Sequence, residues 1–283
     1  MSIEGAWLAE LETSLALSSR SVDAFHARLT EHAYEWPYGD SKVNARFYYL
    51  TFRDGLPTAE EFLIYISQQI VQFCIPYEER WEALQKAYVE GDSAYTTELT
   101  HKARDLFVKA RKEGKSTSGE PAELILFLIL ESVLKAPQIA CKMYLKTSQN
   151  VPVHGADSVH VGYDSESDQL LMYWGESKLY GDLLGGIHAI SSSISEFVKS
   201  NDGKSGKSRD IEIINDHFSL SGDGNSDLKE RVLDYFDPYS PKSNERRDVY
   251  ACLECFDLPL YEQLKGLSPE QAEHVFQQEF QKK

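Results

Sequence analysis

The stretch GEPAELILFLILESVLKAP, residues 119–137, constrains the fold more than any other part of the chain. Pro121 sits near the first helical position, where its missing N–H costs nothing, and Pro137 marks the stop. Between them the helix is apolar nearly all round, so other elements must cover every side of it. Its longest unbroken apolar run, Leu124–Leu130, is seven residues. A membrane span needs roughly 20, so the helix is read as the centre of a water-soluble core, with no membrane involved. The opening MSIEGAWLAELE carries an early acid and no basic region before an apolar block. It is not read as a secretory signal, and the expected address is the cytoplasm.

What covers this helix follows it in the chain. QIACKMYLKT (138–147), ADSVHVGYD (156–164) and QLLMYWGESKLY (169–180) read as strands, the last two joined as a hairpin by SESD. DLLGGIHAISSSISEFVKS (182–200) is an amphipathic helix with small residues on one side, and NDGKSGKSRD reads as a flexible loop. Helices are expected at 208–219 and 226–236, a strand at 246–257 and a last helix opened by Ser268. This order predicts an α/β fold: a mixed central sheet flanked by helices.

The N-terminal part predicts a helix over 3–17, a strand over 43–52 and helices at 78–90 and 96–113. Thr58 and Glu61 form a T-x-x-E capping box ahead of EEFLIYISQQIVQF. The chain is long enough for one large domain or two small ones. It is divided here into 1–115, a mixed, mainly helical region and candidate partner-docking surface, and 116–283.

Strand alternation concentrates ionisable groups at one end of the sheet. Met172, Trp174, Glu176 and Lys178 share one side of the third strand; Asp157, Val159, Val161 and Tyr163 share one side of the second. A hairpin turn at 164–168 brings Asp157, Glu176 and Lys178 together. Two nearby carboxylates suit a hard cation such as Mg²⁺ or Mn²⁺. A lysine beside them keeps the acids ionised and supplies charge to a phosphoryl transition state. As pure structure such a cluster is costly, because each buried ion loses several kcal/mol of hydration.

The central helix offers Glu123 and Glu131, about 80° apart on the wheel. Glu123 is read as a further metal or water ligand, or else as an acid that favours the helix N-terminal dipole. The pattern [Asp/Glu]-x-Lys occurs five times, and only Glu176–Lys178 closes an apolar strand. A surface ion pair at a strand end is the bland alternative.

Other chemistries fit poorly. CLEC puts Cys252 and Cys255 on opposite strand faces, as two small core hydrophobes, not half of a zinc site. The segment before Gly206-Lys207-Ser208 has Asn201 where a phosphate-binding loop needs Gly. No G-x-S-x-G occurs, and His160 faces away from Asp157. The net charge of −16 opposes strong free-standing affinity for nucleic acid.

On these residues the chain resembles the PD-(D/E)xK nuclease superfamily: G-A-D-S-V-H-V before the second strand and G-E-S-K ending the third. Ala156 stands where the motif's proline would be. From ELILFLILESVLKAPQIACKMYL to WGESKLYGDLLGGIHAISSSISEF it is similar to the nuclease subunits of Hachiman anti-phage defence systems. The resemblance implies a restriction-endonuclease-like core of helix, three strands, helix and strand. It implies a metal-dependent DNA nuclease using Mg²⁺ (or Mn²⁺), with Asp157, Glu176, Lys178 and Glu123 as catalytic residues and the three acids as metal ligands. It also implies a helicase-like ATPase partner of the HamB type and DNA as the substrate. The non-enzyme alternative is an acidic interaction module on a nuclease-like fold.

Overall fold

The structure is a computed structural model. It describes residues 19–280 except 40, 113–118, 146–154, 165, 168, 202–203, 219–225 and 238. In chain order its elements are α1 (Ser19–His26), β1 (Leu29–Tyr38), β2 (Ser41–Leu50), β3 (Phe52–Arg53), β4 (Leu56–Pro57), α2 (Ala59–Gln68), α3 (Ile70–Cys74), α4 (Tyr77–Glu90), α5 (Ala94–Lys112) and α6 (Glu120–Ser132). Then come β5 (Gln138–Ala140), α7 (Lys142–Leu145), β6 (Ser158–Asp164), β7 (Gln169–Tyr180), α8 (Leu183–Val198), β8 (Ser200–Asn201), β9 (Lys204–Ser205), α9 (Gly206–His217), α10 (Ser226–Asp234), β10 (Arg246–Phe256), α11 (Leu260–Gln263) and α12 (Pro269–Phe280). The expected helix at 3–17 and the boundary at 115–116 lie outside the described residues. None of the described helices is long and apolar enough to cross a membrane.

The chain forms two compact units, one containing residues 69–256 and the other residues 18–68 with 257–283. The first holds a four-stranded sheet in the order β5-β6-β7-β10. β5–β6 and β6–β7 are antiparallel and β7–β10 is parallel, so the sheet is mixed. Alternation along the strands gives it two apolar faces. On one, Leu171 and Tyr173 meet Leu126 and Leu130 of α6. On the other, Val159, Val161, Met172 and Trp174 meet Phe197 of α8, Ile214 of α9 and Val232 of α10. The result is an α/β sandwich with the expected core order of helix, three strands, helix and later strand.

The second unit joins chain segments far apart in sequence. Tyr49 of β2 stacks on Phe276 of α12 with ring centroids 4.2 Å apart. The Leu50 N–H donates to the Tyr261 hydroxyl at 3.0 Å.

Several local expectations need correcting. The strand at 138–147 stops at Ala140 and gives way to α7, because Lys142 turns inward to a buried aspartate. Thr58 precedes α2, but its hydroxyl donates back to the Thr51 carbonyl at 3.0 Å. In place of a loop at 201–210, β8 pairs with β9 and α9 begins at Gly206, capped by the Ser205 hydroxyl accepting from Ser208 N–H. The N-terminal part contains the hairpin β1–β2, where only the second strand was expected. Cys252 is exposed, because β10 is an edge strand.

Trp174 is fully buried, packs on the Phe197 ring and donates from Nε1 to Asp248 Oδ1 at 2.9 Å. Trp174→Ala is expected to cost about 3–5 kcal/mol of stability, measured by urea denaturation. A loss below about 1 kcal/mol would show that this face is not the core.

Candidate active site

The β6–β7 register ends with Ser158 opposite Gly175, so Asp157 and Glu176 are the next residue on each side of that last pair. Just past the ladder's last pair, the Asp157 N–H donates to the Gly175 carbonyl at 2.7 Å, a bond offset by one residue from the β6–β7 register. Asp157 Oδ2 accepts two bonds from Ser177, from its N–H at 2.8 Å and its hydroxyl at 2.9 Å. Those bonds tie the aspartate to the middle residue of Glu176-Ser177-Lys178.

Glu176 is 7% exposed and Lys178 half-buried, and Lys178 Nζ lies 2.5 Å from Glu176 Oε1. The shared strand face therefore brings them together as expected. Burial, and then the charge of Asp157, push the Glu176 carboxyl above its ordinary value, while Lys178 and the Ser193 hydroxyl of α8 pull it back. Burial pulls the Lys178 ammonium down, but the Glu176 hydrogen bond and the charges of Glu176 and Asp157 outweigh it and hold it above its usual value. Asp157, Glu176 and Lys178 thus act on one another electrostatically.

Glu123 is buried in the first turn of α6, with Oε1 turned toward Gly119 at the helix start. α6 covers the face of Leu171 and Tyr173, whereas Glu176 points to the face of Met172 and Trp174. Among the described residues, no three His, Cys, Asp or Glu side chains are placed to hold a metal ion. Glu131 has a structural task, its Oε1 accepting from Gln138 N–H at 3.0 Å where β5 begins.

Three residues went unread in the sequence. Glu254 of β10 stands opposite Lys178 in the parallel ladder, on the same face. Its carboxylate packs against the bare Cα of Gly186 in α8, where any side chain would collide. Among the described residues neither of its oxygens has a hydrogen-bond partner. Burial and then Asp182 raise its pKa, opposed by Lys178. The other two are Lys142 and Asp210, 6% and 0% exposed, paired at 2.8 Å behind Ala156. Lys142 is the lone charge in the apolar run IACKMYL, and that was its trace in the sequence.

The donor set suits a hard divalent cation. Two carboxylates face one ammonium, and Glu176 is driven toward neutrality by burial and then by the charge of Asp157, a repulsion that a cation relieves. Mg²⁺ is commonly held by one or two carboxylates, with water and substrate phosphate completing its shell. Asp157 and Glu176 can do this without a third acid.

A mixed-sheet α/β protein with a nuclease-like core, carrying an acid–acid–lysine cluster at one end of its sheet, is the class these features define. A family model described as HamA matches residues 24–283, nearly the whole chain. The chain belongs to the HamA family and is thereby a component of a Hachiman antiviral defence system. Comparison with curated proteins gave no match.

His160 faces α6, in the packing role expected of it. It is fully buried against Phe127, with Nδ1 2.8 Å from the Ala136 carbonyl. A carbonyl only accepts, so Nδ1 carries the proton. Burial lowers its pKa from 6.5 to about 4. The folded state thus takes up the second proton, at Nε2, less readily than the unfolded chain. Its contribution to stability is complete above pH 6.5 and is lost as the pH falls toward about 4. The slope is at most about 1.4 kcal/mol per pH unit. His160→Gln is expected to flatten denaturation midpoints across that window; an unchanged slope would show that His160 is not held neutral.

Proposed function

We propose that this chain is a metal-dependent deoxyribonuclease that hydrolyses phosphodiester bonds at Asp157, Glu176 and Lys178. In this reading it is the effector of a cytoplasmic defence complex with a helicase-like ATPase partner. The observation that carries the reading is the juxtaposition of Asp157 with the Glu176–Lys178 pair, mutually charged, at the end of the β6–β7 ladder. Membership of the HamA family supports the defence role.

Asp157 and Glu176 would hold the cation. A bound Mg²⁺ or Mn²⁺ would polarise the scissile phosphoryl oxygen and ease ionisation of the attacking water. The Ser177 bonds fix the Asp157 carboxylate, and Ser193 fixes that of Glu176. Lys178 stays protonated beside Glu176 and offers its charge to the oxygen on which negative charge develops. Glu254 faces Lys178 from β10 and adds to the field that keeps the ammonium charged.

Lys178→Ala is expected to lower cleavage of DNA by about 10²–10³-fold in the chain co-purified with its partner, with the fold unchanged by circular dichroism. Glu176→Gln should bring cleavage to background and remove Mn²⁺ binding. Full cleavage by either variant would end the assignment.

The net charge of −16 makes a second outcome specific. The chain alone should cleave weakly at physiological salt, because it lacks the cationic surface that displaces counterions from phosphates. Salt-resistant cleavage by the isolated chain would overturn the partner's role in gripping DNA.

A further inference from the structure

Behind the site lies an ion pair that touches neither substrate nor cation in the reading above. Lys142 opens α7 and Asp210 lies in the first half of α9, 68 residues apart in sequence. Lys142 Nζ lies 2.8 Å from Asp210 Oδ1 and also donates to the Ala156 carbonyl. The Ala156 N–H donates to Asp210 Oδ2 at 2.8 Å. Both polar groups of the Ala156 backbone are thus held by one pair of opposite charges, and Ala156 itself is 5% exposed.

The next residue is Asp157. Its amide is fixed on one side by the Gly175 carbonyl and its carboxylate by Ser177. Together with the grip on Ala156, these bonds hold residues 156 and 157 at both backbone and side chain. Gly155 makes room for the arrangement, because a Cβ there would collide with the Asp210 carboxylate.

Stability alone accounts poorly for such a pair. Apolar side chains of similar volume commonly replace a buried ion pair with no loss of stability, or with a gain. Burial pushes the Asp210 carboxyl up even with Lys142 beside it, which shows that the desolvation cost persists. Groups that orient ligands from behind typically contribute 10–100-fold to metal affinity.

We propose that Lys142 and Asp210 are positioning residues that clamp the Ala156 backbone and thereby aim the Asp157 carboxylate at the cation site. The inference rests on the reading of Asp157 as a metal ligand. The clamp itself can be tested without that reading.

The test compares the wild-type chain with Lys142→Met/Asp210→Leu, Asp210→Asn and Gly155→Ala. The double variant replaces the pair with apolar groups. The Asn variant keeps the size but offers an amide NH₂ to one of two donors. Gly155→Ala leaves every charged group in place and pushes the Asp210 carboxylate aside.

Amide hydrogen exchange reads the clamp directly. In each variant the 156, 157 and 177 amides should lose protection by at least tenfold, while those of residues 171–174 keep theirs. Unchanged protection at 157 and 177 in folded variants overturns the clamp, whatever the chain's activity. Mn²⁺ titration then reads its purpose. Each variant should bind about 10–100-fold more weakly than wild type, with a thermal midpoint within a few degrees for the double variant. Equal Mn²⁺ affinity in wild type and variants, with binding abolished by Asp157→Asn, overturns the positioning role and leaves the nuclease reading intact. Wild-type binding that ignores Asp157→Asn overturns the nuclease reading, and the role for the clamp with it. If the double variant does not fold, Gly155→Ala and Asp210→Asn decide by the same readings.

Discussion

The site exists because β6 and β7 pair in one register and no other. With Ser158 opposite Gly175, the even-numbered residues of β7 face α8 and α9, and the odd-numbered ones face α6. A slip of one residue would turn Glu176 and Lys178 away from Asp157 and send Leu171 and Tyr173 to the wrong core. Packing on both faces holds that register. Met172 and Trp174 are enclosed on one side, while Leu171 and Tyr173 are fixed on the other by Leu126 and Leu130. His160, bonded to the Ala136 carbonyl, pins β6 to the loop after α6. The apolar sandwich therefore supplies the accuracy, and the ionisable groups use it.

Charges at the end of such a strand carry a desolvation cost, and the chain offsets it with local donors. Asp157 receives two bonds from Ser177, and Glu176 receives Lys178 and Ser193. Two glycines serve the same end by giving up a side chain. Gly155 admits the Asp210 carboxylate and Gly186 admits that of Glu254. Gly186, the second glycine of DLLGGIH, thus has a steric cause that helix propensity does not suggest, since Gly inside a helix costs roughly 1 kcal/mol relative to Ala.

What the sequence made legible was whatever depends on a short repeat. Alternation in SVHVGYD and QLLMYWGESKLY placed Asp157, Glu176 and Lys178 at one end of the sheet, and the all-round apolarity of α6 placed it at the centre. What stayed hidden depends on distant partners. The run QIACKMYL reads as a strand until Asp210, 68 residues on, draws Lys142 inward. Thr58 reads as a cap until Thr51 offers its carbonyl. The unit built from residues 18–68 and 257–283 rests on contacts such as Leu50 with Tyr261, which no local window contains. Glu123 lies in the helix where it was expected, and which sheet face that helix covers is set by the pairing of Leu171 and Tyr173 with α6.

The balance of charge ties the small site to the whole chain. At the end of the ladder the three acids Asp157, Glu176 and Glu254 lie around the single lysine Lys178 among the described residues, so acids outnumber bases there. The chain repeats this excess at large, with 45 acids against 29 bases. An anionic cluster attracts a divalent cation and repels a phosphodiester, and the wider negative field repels it again. Under the proposed function the cation must therefore precede the DNA, since only a loaded site reverses the local sign. The grip on the polyanion falls to another surface. Under that same proposal the order of binding would act as a restraint: without cation and partner, the chain's own charge opposes the polymer it would cut.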